Sequence, residues 1–318
     1  MLKNKRLKIA VSGSLAYDQI MDFPGRFSDH ILPKEIHNLN LSFFLSGLRR
    51  SFGGTAGNIA YNLTLLQEKP IILGVAGFDF GDYRKWLEKG GADLSRIRTV
   101  PTDRTATAYI ITDQADNQIA AFYPGARPKD YARRACNFKE INLAIIAPDD
   151  KQRMLDYAVA YQKHHVPYIF DPGQALIAFS AAELKKAVRG AKVLIGNDYE
   201  IKLMADKMKI TLAQLVKLVE ILVITKGGKG SEIYQGQEKV VIKPAKPKNT
   251  SDPTGAGDAY RAGLIKGLIK GYNLKACGQL AGLVAVYTVE KYGTQTHQFS
   301  LAELKKRYQE NYKESLKI

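Results

Sequence analysis

The run Asp252-Pro-Thr-Gly-Ala-Gly-Asp258 holds the clearest chemistry in the sequence. From Thr254 to Gly257 the backbone can come close to a ligand with no large side chain in the way. An apolar helical pattern starts directly after it, so unpaired N–H groups and the positive end of a helix dipole face the loop. That makes an anion site suited to a phosphate. Asp258 falls within the first turn, where a carboxylate can take the proton of an attacking hydroxyl while the amides hold a transferring phosphoryl group. Asp is equally common as a helix-capping residue, so the spacing alone leaves base and cap both open. The run lacks the third glycine of a GxGxxG motif and is not a Walker loop. Gly227-Gly-Lys-Gly-Ser231 is not one either: no glycine stands five residues before Gly228, and Lys229 is followed by Gly230.

Such a loop needs a scaffold, and the rest of the sequence supplies one. Short apolar runs at 7–11, 71–75, 143–147, 168–170, 193–195 and 222–225 are rich in Val and Ile with little polar alternation. Strands buried on both faces read this way. Helical patterns lie between them at 55–67, 83–89, 151–164, 181–188, 199–208 and 212–218. The alternation predicts an α/β fold with a mostly parallel sheet and helices on both faces. Segments 19–50 and 105–123 break the pattern, the second as a hairpin around 113–117, and both suit a small sheet lying over one face. A lid and an edge elaboration are both open. Later come a hairpin around Gln235-Gly236, two helices at 259–270 and 274–289, and a shorter one at 301–308. With no repeats or linkers, the expectation is one domain, 1–318, with lid segments at about 18–50 and 104–126.

Composition excludes several classes. Hydrophobic residues make up 45% and charged residues 25% of 318, enough for a sizeable core and against general disorder. Lys plus Arg, 47, minus Asp plus Glu, 31, gives +16. That excess suits an anionic partner or a lysine-rich solvated surface. The basic clusters at 3–8 and 243–248 lack interleaved aromatics, so no nucleic acid is expected. Cys136 and Cys277 stand far apart, which disfavours zinc and disulfides and suits a reducing cytoplasm. The opening apolar run is broken by Ser12, Gly13 and Ser14 and stopped by Asp18, as a buried strand would be. No stretch has the roughly 18 apolar residues of a membrane span.

The segment DPTGAGDAYRAG (252–263) resembles the C-terminal signature of the ribokinase/PfkB family of sugar and nucleoside kinases. Gly53-Gly54-Thr-Ala-Gly57-Asn58 is similar to its glycine-rich N-terminal signature. Asp18 in VSGSLAYD, Asn197-Asp-Tyr-Glu200 and Thr225-Lys-Gly227-Gly-Lys-Gly230 agree, and all five occur in the family order. Within the family the chain most resembles bacterial adenosine kinases, through FPGRFSDHILP (23–33), LNLSF (39–43), GFDFGDYRKWL (77–87), AAFYPGA (120–126), FDPGQ (170–174) and KYGTQ (291–295).

The resemblance implies a ribokinase-like three-layer α/β/α sandwich with a small β-sheet lid. It implies transfer of the γ-phosphoryl of ATP to the 5′-hydroxyl of adenosine, a purine-salvage step, with Asp258 as base and the amides of Gly255, Ala256, Gly257 and Asp258 as anion hole. Asp18 would accept from the ribose hydroxyls, with Gly54 and Asn58 as the second sugar contact. Ser14, Ser42, Phe122 and Gln174 would line the nucleoside pocket. Ala108 stands where close relatives can carry a second aromatic, and Tyr109 should face away from it. Asn197, Thr225, Gly227, Gly230, Thr254, Gly255 and Gly257 would serve the nucleotide. Glu200 would hold Mg2+ through water, and Asp252 is a candidate for a monovalent cation, K+. A homodimer through the lid is a further expectation. Another PfkB-type acceptor (ribose, a different nucleoside or a sugar phosphate) stays open. A basic nucleic-acid-binding protein on a kinase scaffold is the other alternative, and the intact Gly255, Gly257 and Asp258 weigh against it.

Overall fold

The computed structural model describes residues 7–31, 40–115, 117–128 and 137–316. Cys136, the basic cluster at 3–6 and parts of the segments at 23–33 and 39–43 lie outside the described residues.

The first half of the chain forms β1 (Ile9–Ser12), β2 (Ala16–Asp22), β3 (Gly47–Gly53), α1 (Thr55–Leu65), β4 (Ile71–Leu73), β5 (Val75–Gly77), α2 (Gly81–Gly90), β6 (Arg98–Val100), β7 (Ala106–Thr112), β8 (Gln118–Tyr123) and β9 (Leu143–Ile146). The second half adds α3 (Lys151–Lys163), β10 (Tyr168–Phe170), α4 (Ala181–Arg189), β11 (Val193–Asn197), α5 (Asp198–Met208), α6 (Leu212–Val216), β12 (Ile221–Thr225), β13 (Ser231–Gln235), β14 (Glu238–Ile242), α7 (Ala256–Ile269), α8 (Leu274–Val289) and α9 (Leu301–Tyr312). The large sheet runs in the order β14-β13-β12-β11-β10-β9-β1-β4, parallel except for the β12–β13–β14 hairpin. The expected α/β architecture is present.

Alternation along each strand divides the core. Leu143 and Ile145 of β9 face one side while Ala144 and Ile146 face the other, and β12 splits Val223 from Leu222 and Ile224 in the same way. Helices α1, α2, α7, α8 and α9 cover the first side; α3 to α6 cover the second. Period-two strands covered on both faces must be apolar throughout. Each fully buried Ile or Val contributes about 1.5–3 kcal/mol relative to exposure.

A second sheet, β3-β2-β7-β8, arises from the two segments that broke the alternation. Strand β2 pairs antiparallel with β3 and parallel with β7, and β8 returns antiparallel beside β7. The run at 71–75 departs from expectation by splitting into β4 and β5 at Gly74. A side chain there would come within 2.9 Å of Leu15 Cδ1, so the strand breaks where the chain passes closest to its neighbour. Helix α7 also starts earlier than its apolar pattern, because Gly255 adopts φ 78° and caps it. Among the described residues no helix is long and apolar enough to cross a membrane.

Candidate active site

Strands β9 and β4 flank β1, and the chain order reverses there. Open α/β sheets place ligands outside the carboxyl ends of strands at such a point. Here the ends of β1, β9, β10, β11 and β12 deliver Ser14, Pro148, Gln174, Asn197 and Thr225 to one cleft of about 430 Å³.

The N-terminus of α7 forms one end of this cleft, with Thr254, Gly255, Gly257 and Asp258 on its wall. Gly255 is required twice over: its φ is positive, and a Cβ would meet Thr294 Cγ2 at 2.9 Å. Ala256 is a correction to the expected anion hole, because its N–H already donates to the Pro253 carbonyl at 3.2 Å. The next two N–H groups, of Gly257 and Asp258, have no intrahelical acceptor by helix geometry. Asp258 is half-buried, and its Oδ2 accepts from Asn58 Nδ2 at 2.8 Å. Burial pushes its carboxyl up to about 6, against the pull of Arg261 and of the Asn58 hydrogen bond. A carboxylate so poised can exchange a proton near neutral pH.

The small sheet forms the opposite wall. One register row crosses it from Ser51 through Asp18 and Ala108 to Phe122. Residues in one row share a face, and Asp18, Ala108 and Phe122 all line the cleft. Tyr109, one position on, does not line it and is 43% exposed. Asp18 has no hydrogen-bond partner among the described residues, and burial with Asp252 nearby raises it to about 6. It is therefore an acceptor awaiting a donor. Gly54 at φ 83° lets the chain pass Ser14 O and Ala16 N, each 2.6 Å from a would-be Cβ. Ser14 Oγ accepts from the Thr55 N–H at 3.0 Å, so it also caps α1.

Beside this lies a second hollow of about 200 Å³ that shares Ser14, Phe122, Pro148 and Gln174 with the first. Its walls are apolar, from Leu15, Val75, Ala106 and Ala126, and its polar edge holds Asp149 and Arg153, ion-paired at 3.1 Å. A flat heterocycle with polar edge groups suits such a slot. Ser42 is not brought to either hollow. It stands exposed in the stretch before β3.

Asn197 and Glu200 form a capping box at the start of α5: Asn197 Oδ1 accepts from Glu200 N, and Glu200 Oε2 accepts from Asn197 N, both at 2.8 Å. Glu200 also lines the cleft. Among the described residues no group of three His, Cys, Asp or Glu could enclose a metal. A hydrated magnesium ion needs only one or two carboxylates beside phosphate oxygens, so a single carboxylate such as Glu200 fits it. Gly227 and Gly230 do not line the cleft. Gly230 is needed because a Cβ there would sit 2.1 Å from the Ile242 carbonyl. Asp252 accepts from Thr254 N at 2.9 Å and Gly293 N at 3.0 Å, tying two loops together with the oxygens a cation would want.

Sequence reading passed over a buried ion pair in this cleft. Arg261 Nη2 donates to Asp171 Oδ1 at 2.8 Å and Nε donates to Oδ2, a bidentate pair. Both residues line the cleft. The signal was present: Asp171 follows an apolar strand, and Arg261 stands one helical turn after Asp258.

The pfkB family carbohydrate kinase pattern matches residues 16–300. A nucleoside kinase of Methanothermobacter thermautotrophicus is 34% identical over 85% of this chain and 88% of its own. A nucleoside kinase of Burkholderia thailandensis in complex with inosine superposes with a TM-score of 0.85 at 35% identity, covering 96% of this chain and 99% of that one. Its complex with ADP-inosine gives 0.83 at 36%, covering 97% of each. With its mostly parallel sheet, its smaller second sheet and a cleft at their meeting, this chain belongs to the PfkB family of carbohydrate kinases, phosphotransferases that act on a hydroxyl acceptor.

Proposed function

We propose that the chain transfers the γ-phosphoryl group of ATP to the 5′-hydroxyl of a purine nucleoside, adenosine first. One observation carries this reading. Asp18, a carboxylate with no hydrogen-bond partner among the described residues, and Asp258, a carboxylate at a helix N-terminus, line the same cleft, and an apolar slot with a polar edge opens beside them. Asp18 accepts hydrogen bonds from the ribose hydroxyls. The base lies in the slot against Phe122, with Gln174, Asp149 and Arg153 at its edge. The inosine and ADP-inosine complexes of the Burkholderia thailandensis nucleoside kinase support a purine nucleoside as the acceptor.

In the reaction Asp258 takes the 5′-hydroxyl proton, the oxygen forms its bond to the γ-phosphorus, and the bond to the bridging oxygen breaks to release ADP. The N–H groups of Gly257 and Asp258 hold the charge on the transferring group. Asn197, Thr225 and Thr254 border the path of the nucleotide. Magnesium, when bound, would neutralise the phosphates; Glu200 would hold it through water, with Asn197 fixing the Glu200 rotamer. Arg261 is committed to Asp171 and keeps that buried carboxylate neutralised. The small sheet closes the acceptor side as a lid, and the exposed strand β8 supports pairing with the lid of a second copy.

The test is ADP formation from ATP and magnesium with adenosine, inosine, guanosine, ribose and fructose 6-phosphate compared side by side. Preference for adenosine bears the proposal out. Preference for another purine nucleoside keeps the slot and changes its edge reading. Preference for ribose or the sugar phosphate would sink the base-binding roles of Phe122 and Gln174.

A further inference from the structure

Behind Asp258 lies a chain of side chains of which Asn58 lines the cleft while Gln295, Tyr83 and Trp86 do not. Asn58 donates from Nδ2 to Asp258 Oδ2 at 2.8 Å and accepts at Oδ1 from Gln295 Nε2 at 3.0 Å. Gln295, only 3% exposed, also donates from Nε2 to the Tyr83 hydroxyl at 2.5 Å and accepts at Oε1 from Trp86 Nε1 at 3.1 Å. An amide can be turned end for end, so what fixes each orientation is its neighbour. Indole N–H can only donate, which forces the Gln295 oxygen toward Trp86. The Tyr83 hydroxyl gives its own hydrogen to the Gly53 carbonyl at 2.8 Å, so it can only accept from Gln295. Both ends therefore demand the same orientation of Gln295. Its NH2 then faces Asn58, whose oxygen must turn to meet it, and the Asn58 NH2 is left for Asp258.

We propose that Trp86, Tyr83 and Gln295 lock Asn58 as a permanent N–H donor to Asp258, and that this one-directional relay sets the pH at which Asp258 becomes an ionised base. The proposal rests on the reading of Asp258 as the base. Gln295, Trp86 and Tyr83 act through Asn58 and are positioning residues. Gly57 belongs to the same device: a Cβ there would lie 1.8 Å from the Tyr83 hydroxyl, so the glycine makes room for the anchor.

The relay works against a crowded field. Arg261, on the same helix, favours the Asp258 carboxylate; Asp171 after β10 and Asp18 on β2 oppose it. Tyr83 also feels the Asp258 charge, and its phenol is held far above its ordinary range by burial, so it stays a neutral hydroxyl. Burial leaves Asp258 near 6 even with the Asn58 bond in place. A donor to a carboxylate favours its charged form. Were Asn58 free to turn its oxygen toward Asp258, a lone-pair repulsion would replace that donor and the proton would be held to higher pH.

The test is the pH dependence of kcat/KM for the best acceptor in the wild type, Asp258→Asn, Trp86→Phe and Gln295→Met. Trp86→Phe keeps the ring against Phe52 and Tyr61 and removes only the obligate donor. Gln295→Met is near in shape and removes both amide ends. The acid limb should move up by about one pH unit in Gln295→Met and by about half as much in Trp86→Phe, with rates recovering at high pH. Lower rates at every pH with an unmoved acid limb, in either variant that folds, would overturn the relay and leave the base in place. Wild-type rates in Asp258→Asn would overturn the base assignment itself, and the relay with it.

Discussion

Strand β10 is buried at all of its residues and leads to Asp171 at the phosphoryl end of the cleft, whereas β8 is exposed at all of its residues and roofs the acceptor end. At the first end each group is held by a neighbour: Asp258 by Asn58, Asn58 by Gln295, and Asp171 by Arg261. At the second end Asp18 has no hydrogen-bond partner among the described residues, and Phe122 is 61% exposed. Chemistry common to any hydroxyl acceptor sits where packing permits little change. Choice of acceptor sits where one side chain can change without disturbing a core. Substitutions at the first end should therefore lower turnover, and those at the second should alter selectivity and binding.

The largest effect is expected from Asp258→Asn, a fall in kcat of about 10²–10⁴-fold at saturating ATP. Turnover close to wild type in the folded variant would erase the contrast at its strongest point. The same variant should be more stable at pH 7. In the folded protein the Asp258 proton is held up to about 6, above its unfolded value, so the ionised form costs stability above that pH. The cost shrinks as pH falls below about 6 and is gone only below the ordinary value of 3.8. Asparagine should therefore gain roughly 1–2 kcal/mol at pH 7, discounted for the residue's partial exposure to the cleft, and progressively less toward pH 5. Thermal unfolding at the two pH values reads this directly.

The same division governs what the sequence could reveal. Large-sheet strands have a period-two core on both faces, so their apolar runs alone located β9, β10 and β12 to within a residue or two. The loop at 252–258 was legible as an anion site at a helix start because its glycines precede an apolar helical pattern, while the role of Asp258 as base needed the resemblance. The small sheet was harder. Its strands are half-exposed, and the row Asp18–Ala108–Phe122 depends on a parallel pairing between β2 and β7, some ninety residues apart, that no local pattern encodes. Ser42 rested on the resemblance alone: within 19–50 no local pattern marked where β3 begins, and the structure does not bring Ser42 to either hollow. The pair Asp171–Arg261 and the relay through Gln295 escaped because each joins residues distant in sequence: the place of Asp171 after a strand and of Arg261 one turn after Asp258 marks each residue but not their pairing, and Gln295 has no such mark.

Asp18→Asn should have the next largest effect. It removes a charged acceptor for two hydroxyls, and hydrogen bonds to a charged group justify a loss of about 10–100-fold in kcat/KM. Nucleoside and free ribose should suffer alike, since the ribose hydroxyls are common to both. A loss confined to nucleosides would move Asp18 from the sugar to the base and blur the division between the two ends.

Phe122→Ala should have the smallest effect and sharpen the comparison most. One face of the ring stays in solvent, so stacking on a base gains only part of the roughly 1–3 kcal/mol seen when aromatic platforms are truncated. The KM for adenosine should rise about 5–10-fold, with kcat nearly unchanged, because the ring belongs to β8 and the phosphoryl-holding groups to the start of α7. Ribose, which has no base, should show no change in either constant. A fall in kcat instead would mean that the exposed wall takes part in positioning the 5′-hydroxyl. The two ends would then act as one unit in the chemistry, although Phe122 sits on strand β8 and Asp258 on helix α7, and among the described residues they share no hydrogen-bonded neighbour.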